Sequence, residues 1–185
     1  MHAQRIHQLQ VVFAPEEDRL QLRINTQART EFRFWLTRRF VKRLWPGLVQ
    51  AMESRAAWPA AVPPPVDPTA RATILEFAHQ KAIAQADFST QFLETPSETP
   101  LGPLPILVTR ARIEPREQGG HMVSFHPEGS YGIEVAMDPR LLHSFCKLLA
   151  DAVSKADWDL SLPSSVRKEL SDVGGQHPPA GYTIN

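Results

Sequence analysis

The chain of 185 residues carries 20 Lys and Arg against 20 Asp and Glu, with seven His, so its formal net charge is zero. At 42% hydrophobic and 22% charged residues its composition is globular, and at this length folding buries roughly 70% of the unfolded chain's surface. One cysteine rules out an intramolecular disulfide framework; no run approaches the ~20 apolar residues that span a bilayer, and Met1 to Phe13 lacks a signal-peptide block, so the expectation is a cytoplasmic protein with no membrane partner.

Residues 1 to 58 read as a βββα half. Leu9, Val11 and Phe13 alternate with Gln8, Gln10 and Val12; Leu20, Leu22 and Ile24 with Arg19, Gln21 and Arg23; Phe32, Phe34 and Leu36 with Arg33 and Trp35. Each run has the period of a strand with one apolar face. Turn residues at Ala14 to Asp18 and Asn25 to Thr30 make a meander of the three. At Thr37, a capping residue, the period becomes 3.6, with Phe40, Val41, Leu44, Trp45, Leu48, Val49 and Met52 on one stripe. Pro46 predicts a kink or break near Arg43 to Trp45.

Residues 59 to 103 are a Pro-rich connection and a helix. Five prolines fall between Trp58 and Pro68, which predicts an extended segment. From Thr69 to about Leu93 a helix is predicted, with Ile74, Leu75, Ala78, Ala82 and Ala86 at helical spacing. Thr95 to Pro105 is a second irregular connection.

In residues 104 to 156 the opening pattern returns. Leu107, Thr109, Ala111 and Ile113 form one predicted strand face, Val123 and Phe125 a second, and Tyr131, Ile133, Val135 and Met137 a third, with turns at Gly119-Gly120 and Pro127 to Gly129. Asp138-Pro139 then starts a helix carrying Leu141, Leu142, Phe145, Cys146, Leu149 and Val153. Residues 157 to 185 form a tail, with a short helix predicted over Val166 to Val173 and Tyr182 and Ile184 as its anchors. The predicted fold class is α+β: two antiparallel three-stranded meander-plus-helix (βββα) halves joined by a helical insertion, in two three-stranded sheets or one six-stranded antiparallel sheet.

A shift of 101 pairs Leu22 with Val123, Ile24 with Phe125, Phe34 with Val135, Leu36 with Met137, Thr37 with Asp138 and Leu48 with Leu149. Internal duplication accounts for this, and so does the binary pattern that any two βββα halves share.

Charge is uneven although its sum is zero. Residues 1 to 58 hold ten Lys and Arg against five Asp and Glu. Arg19, Arg23, Arg33 and Trp35 fall on the polar face of the first meander, and Arg38, Arg39 and Lys42 open the following helix. These seven are the candidate partner-binding residues. Cations at a helix N-terminus oppose its dipole, so Glu31 or the acidic turn Glu16 to Asp18 is expected to pair with them. Aromatic and basic residues on an open sheet suit either an acidic protein surface or single-stranded nucleic acid.

No phosphate loop, dinucleotide fingerprint or nucleophile elbow occurs, and the histidines lack metal-ligand spacing, so no catalytic residue, metal site or cofactor is assigned. Cys146 falls on an apolar stripe and is expected to be inert. The sequence thus favours a non-catalytic binding or assembly module for a protein partner. A single-stranded nucleic-acid binder using the basic N-terminal sheet face is the alternative, and an enzyme with a site between the halves the second alternative.

Overall fold

In the computed structural model, which describes residues 6–54, 66–88, 90–92, 98–129, 131–160 and 182–184, the strand-period segments join one mixed sheet. The first three strands, β1 (Ile6–Ala14), β2 (Arg19–Thr26) and β3 (Glu31–Leu36), are followed by α1 (Arg38–Glu53) and α2 (Pro68–Gln85). Then come β4 (Ile106–Pro115), β5 (His121–Pro127), β6 (Ile133–Met137), α3 (Pro139–Lys155) and a three-residue β7 (Tyr182–Ile184). Strand order is β6-β5-β4-β3-β2-β1-β7, α+β as the periodicity predicts. Trp58 with its proline-rich neighbours, and the helix predicted over Val166 to Val173, lie outside the described residues.

Alternation puts one face of the sheet into the core. Leu9, Leu20, Leu22, Ile24, Phe34, Leu36, Val123, Phe125, Val135 and Met137 are all buried there. The predicted stripes of α1 and α3 meet them, Phe145 standing edge-on to Phe125 at 6.0 Å between ring centroids. Thr37 and Asp138 cap their helices as the sequence predicts, accepting from the Phe40 and Leu141 amides at 3.1 and 2.8 Å. With 17 residues, α3 is about 26 Å long. It follows β6 and packs on β1, crossing the roughly 24 Å that five inter-strand steps occupy. It also carries α2 on its flank, so α3 is buried almost all round. Cys146 lies within it, fully buried, and burial pushes its thiol far up, away from thiolate chemistry.

Four expectations are corrected. The sheet is not antiparallel throughout, because β3 and β4 pair in parallel, Phe34 with Ile106 and Trp35 with Leu107. Through α1 and α2 the chain returns to the end from which β3 started, so β4 enters in the same direction. The predicted β4 face is also split. Thr109 is an extra residue between the pairs Val108–Pro127 and Arg110–His126; this bulge moves Leu107 outward and Val108 inward. Third, of the kink or break expected at Pro46, the break does not occur, since α1 runs from Arg38 to Glu53 through it. Fourth, His79 and His143, which sequence spacing leaves alone on separate helices, meet with Nδ1 atoms 3.1 Å apart where α2 packs on α3.

The two meanders share their registers. In the first hairpin Leu20, Leu22 and Ile24 pair with Leu36, Phe34 and Phe32. In the second, His121, Val123 and Phe125 pair with Met137, Val135 and Ile133, each number larger by 101. Between β1 and β4 the offset is 102, since the β4–β5 turn is one residue shorter than the β1–β2 turn. At that offset the β4 bulge at Thr109 coincides with one at His7 in β1.

Candidate binding groove

Strand β4 outruns its neighbour. After two pairs with β3 it continues for eight residues, Val108 to Pro115, paired among the described residues only to β5, because β3 ends at Leu36 and the chain turns into α1. α1 packs against β4 beside that edge. Between α1 and β4 opens a groove of about 850 Å³ whose helix wall carries Phe40, Arg43, Gly47 and Gln50. At its closest approach a β-carbon on Gly47 would stand 3.3 Å from Ile113 Cδ1.

The orientation of β4's backbone follows from its hairpin. The Arg116 amide donates to the Gly120 carbonyl, and the Gly119 amide to the Arg116 carbonyl, both at 3.0 Å. Gly119 is left-handed at φ 85°, the geometry of a glycine bulge closing a hairpin. Gly120 is left-handed too, and a β-carbon there would collide with the Met137 carbonyl oxygen. Counting back from the Arg116–Gly120 pair, an antiparallel ladder directs Glu114, Arg112 and Arg110 toward β5, and turns the N–H and C=O of Ala111 and Ile113 outward. Neither residue finds a backbone partner on that side among the described residues.

Side chains give the groove two surfaces. Half-exposed Ala111 and Ile113, with Phe40 opposite, make an apolar floor. Arg110, Arg112 and Glu114 project from the other face of β4, near His126 and Glu134. Arg112 pairs loosely with Glu114 at 3.6 Å, whereas Arg110 and Arg43 make no ion pair among the described residues. At the far end Ser54 Oγ donates to the Ala51 carbonyl at 2.9 Å and lies 3.0 Å from His121 Nε2. With its proton so placed, the hydroxyl must accept from Nε2–H. Ser54 is therefore a tie between α1 and β5, not a nucleophile beside its base, and burial keeps His121 below its ordinary pKa and neutral. Among the described residues no group of three or more His, Cys, Asp or Glu is placed to hold a metal ion.

The sequence-predicted residues divide. Arg23 is 8% exposed rather than solvated. Its Nε donates to Glu31 Oε1 at 2.7 Å, and its guanidinium lies 4.2 Å from the Phe92 ring centroid. Arg33 donates to the same carboxylate at 2.8 Å and to the Pro103 carbonyl at 2.8 Å. Burial by itself would raise the Glu31 pKa, but hydrogen bonds and charge from Arg33 and Arg23 outweigh it and hold the carboxylate ionised. The open basic face expected on the first meander is thus covered where Arg23 stands. The cause is the connection after α2: Gln91 accepts from Gln8, Phe92 stacks on Arg23, and the Glu98 carbonyl accepts from the Glu31 amide.

Arg19 and Trp35 stay half-exposed, and Arg38, Arg39 and Lys42 are exposed on α1. The pairing expected between these helix cations and Glu31 is not made, since Glu31 faces the other side of β3 with Arg33; Arg38 donates instead to the Asp159 carbonyl. Trp158 staples the chain after α3 to the first meander, donating to Asp18 at 3.1 Å and lying edge-on to Phe13. The groove itself escaped sequence reasoning; its one available signal was the length of the Ile106 to Pro115 run beside the shorter run ending at Leu36.

Compared with known proteins, the chain matches no family model, no curated protein and no solved structure. Among the described residues no helix is long and apolar enough to cross a membrane.

Proposed function

We propose that the chain is a non-catalytic binding or assembly module that engages a protein partner in the groove between α1 and β4. The observation that carries this reading is the edge of β4 left unpaired among the described residues, in a groove with an apolar floor and with Arg43 on one wall and Arg110 on the other. Unpaired strand edges recruit other chains unless they are covered. Arg39 stands one turn before Arg43 on the same side of α1, so it prolongs the cationic wall, with Arg38 and Lys42 beside it. Arg23 and Arg33 serve the fold through Glu31.

The test is site-specific photo-crosslinking in the producing cell. A photoreactive residue at Thr109, in the groove, should capture a discrete protein whose purified form binds the chain at unit stoichiometry. The same residue at exposed Phe77 on α2 should not. Capture of nucleic acid at Thr109, or the same products from both positions, contradicts the reading.

The reading includes an internal duplication of the βββα unit. Its support is the offset of 101 shared by two hairpins, the offset of 102 shared by β1 and β4, and the coincident bulges at His7 and Thr109. Binary patterning fixes a ladder register only to within shifts of two residues and sets no bulge position. A profile of related chains should align onto itself at these offsets, and a different best offset contradicts the duplication.

A further inference from the structure

The offset of 102 places Leu9, Gln10 and Val11 of β1 on Ala111, Arg112 and Ile113 of β4. In β1 these three residues already carry an added strand, with Leu9 paired to Ile184, Gln10 to Thr183 and Val11 to Tyr182, antiparallel. The corresponding helix does not prevent it, for α3 packs on β1 just as α1 packs on β4. Among the described residues the matching edge in β4 has no strand on it. The molecule thus contains one filled and one open example of the same edge.

We infer that the open edge takes an extended segment of a protein partner as an antiparallel strand, in the manner of β7 on β1, and that this segment alternates apolar with acidic residues. This rests on the protein-binding reading above and names its ligand. The backbone half of recognition is the outward N–H and C=O of Ala111 and Ile113, which a strand laid antiparallel satisfies at each second residue. Cross-strand neighbours fix the side chains. Residues opposite Ala111 and Ile113 turn toward Phe40 and Gly47 of α1 and must be apolar. Residues opposite Arg110 and Arg112 lie on the outer face, where Glu114 and Glu134 leave a net cationic row only at the Arg110 end. Acidic residues are preferred there, and Arg43 across the groove adds to that preference.

The test uses three capped nonapeptides on the full chain: one alternating Glu with Ile and Val, its Lys counterpart, and the Glu peptide with a central proline. Amide exchange is followed residue by residue during titration. The Glu peptide is expected to slow exchange at Ala111 and Ile113 while leaving Arg110, Arg112 and Glu114 unchanged, and the proline peptide to have no effect. Exchanging both Arg110→Glu and Arg112→Glu should weaken the Glu peptide roughly tenfold, as two lost and reversed surface ion pairs imply, and should favour the Lys peptide. Ala111→Pro removes one outward donor and should abolish the response; the charge exchange, made at exposed positions, covers the case in which that variant misfolds. No binding by any peptide, protection confined to α1, or a dimer of this chain through β4 overturns the inference. None of these outcomes contradicts the protein-partner reading, which stands or falls on the Thr109 crosslink.

Discussion

The first and second meanders share their registers and differ in what covers them. Gln8, Gln10 and Arg23 on the outer face of the first are buried, whereas Arg110 and Arg112 at the matching positions of β4 are exposed. The edge of β1 is capped by β7, and that of β4, beside α1, carries no strand among the described residues. One backbone plan can thus be covered in one half and exposed in the other, the difference being made by the irregular segment after α2 and by β7. Arginines on a sheet face say little about a partner until the connections are placed.

The contrast breaks most sharply at Glu31. Replacing Glu31 with Ala leaves Arg23 buried without its charge partner, and is expected to cost about 3 to 5 kcal/mol in denaturant unfolding. A loss under 1 kcal/mol would mean that the first face is wet after all. Phe92→Ala removes the lid on Arg23 and should cost about 2 kcal/mol, less than a central core aromatic because Phe92 covers a polar group. It should also raise the exchange rates of β1 and β2 amides while leaving β5 and β6 unchanged.

Acid should act on the same cover, since α2 is held to α3 through His79 and His143. Burial lowers both histidines to about 4, with the His143 and Lys147 charges adding to the effect at His79. The folded state therefore binds fewer protons than the unfolded chain. Stability is fully present above about 6.5 and falls as pH drops from there toward 4, by about 1.4 kcal/mol per pH unit for each histidine. Denaturant melts from pH 8 to 4 check the slope, and His143→Phe should flatten it. Glu31, held below its ordinary value, adds a further loss only at lower pH. The smallest effect is expected in the second meander, where Arg112→Ala breaks only an exposed pair and should shift stability by less than about 0.5 kcal/mol.

What the sequence made legible follows the reach of each signal. Period-2 runs such as Leu20 to Ile24, the stripe from Phe40 to Met52, and the caps Thr37 and Asp138 are local patterns, and each is found where periodicity puts it. The cover over Arg23 comes from Gln91 and Phe92, in an irregular segment with no period to read. His79 and His143 are 64 residues apart and meet only through helix packing. The groove arises from a strand-length mismatch across a parallel junction, a relation between elements that no window within either element contains.

Amide hydrogen exchange of the free chain tests the contrast directly. Ala111 and Ile113 should exchange fast while Arg110, Arg112 and Glu114 between and beside them exchange slowly, and Leu9 and Val11, at the matching positions beneath β7, should be slow as well. Ala111 and Ile113 amides as protected as those of Leu9 and Val11 would show that the β4 edge is already filled, and would contradict the account.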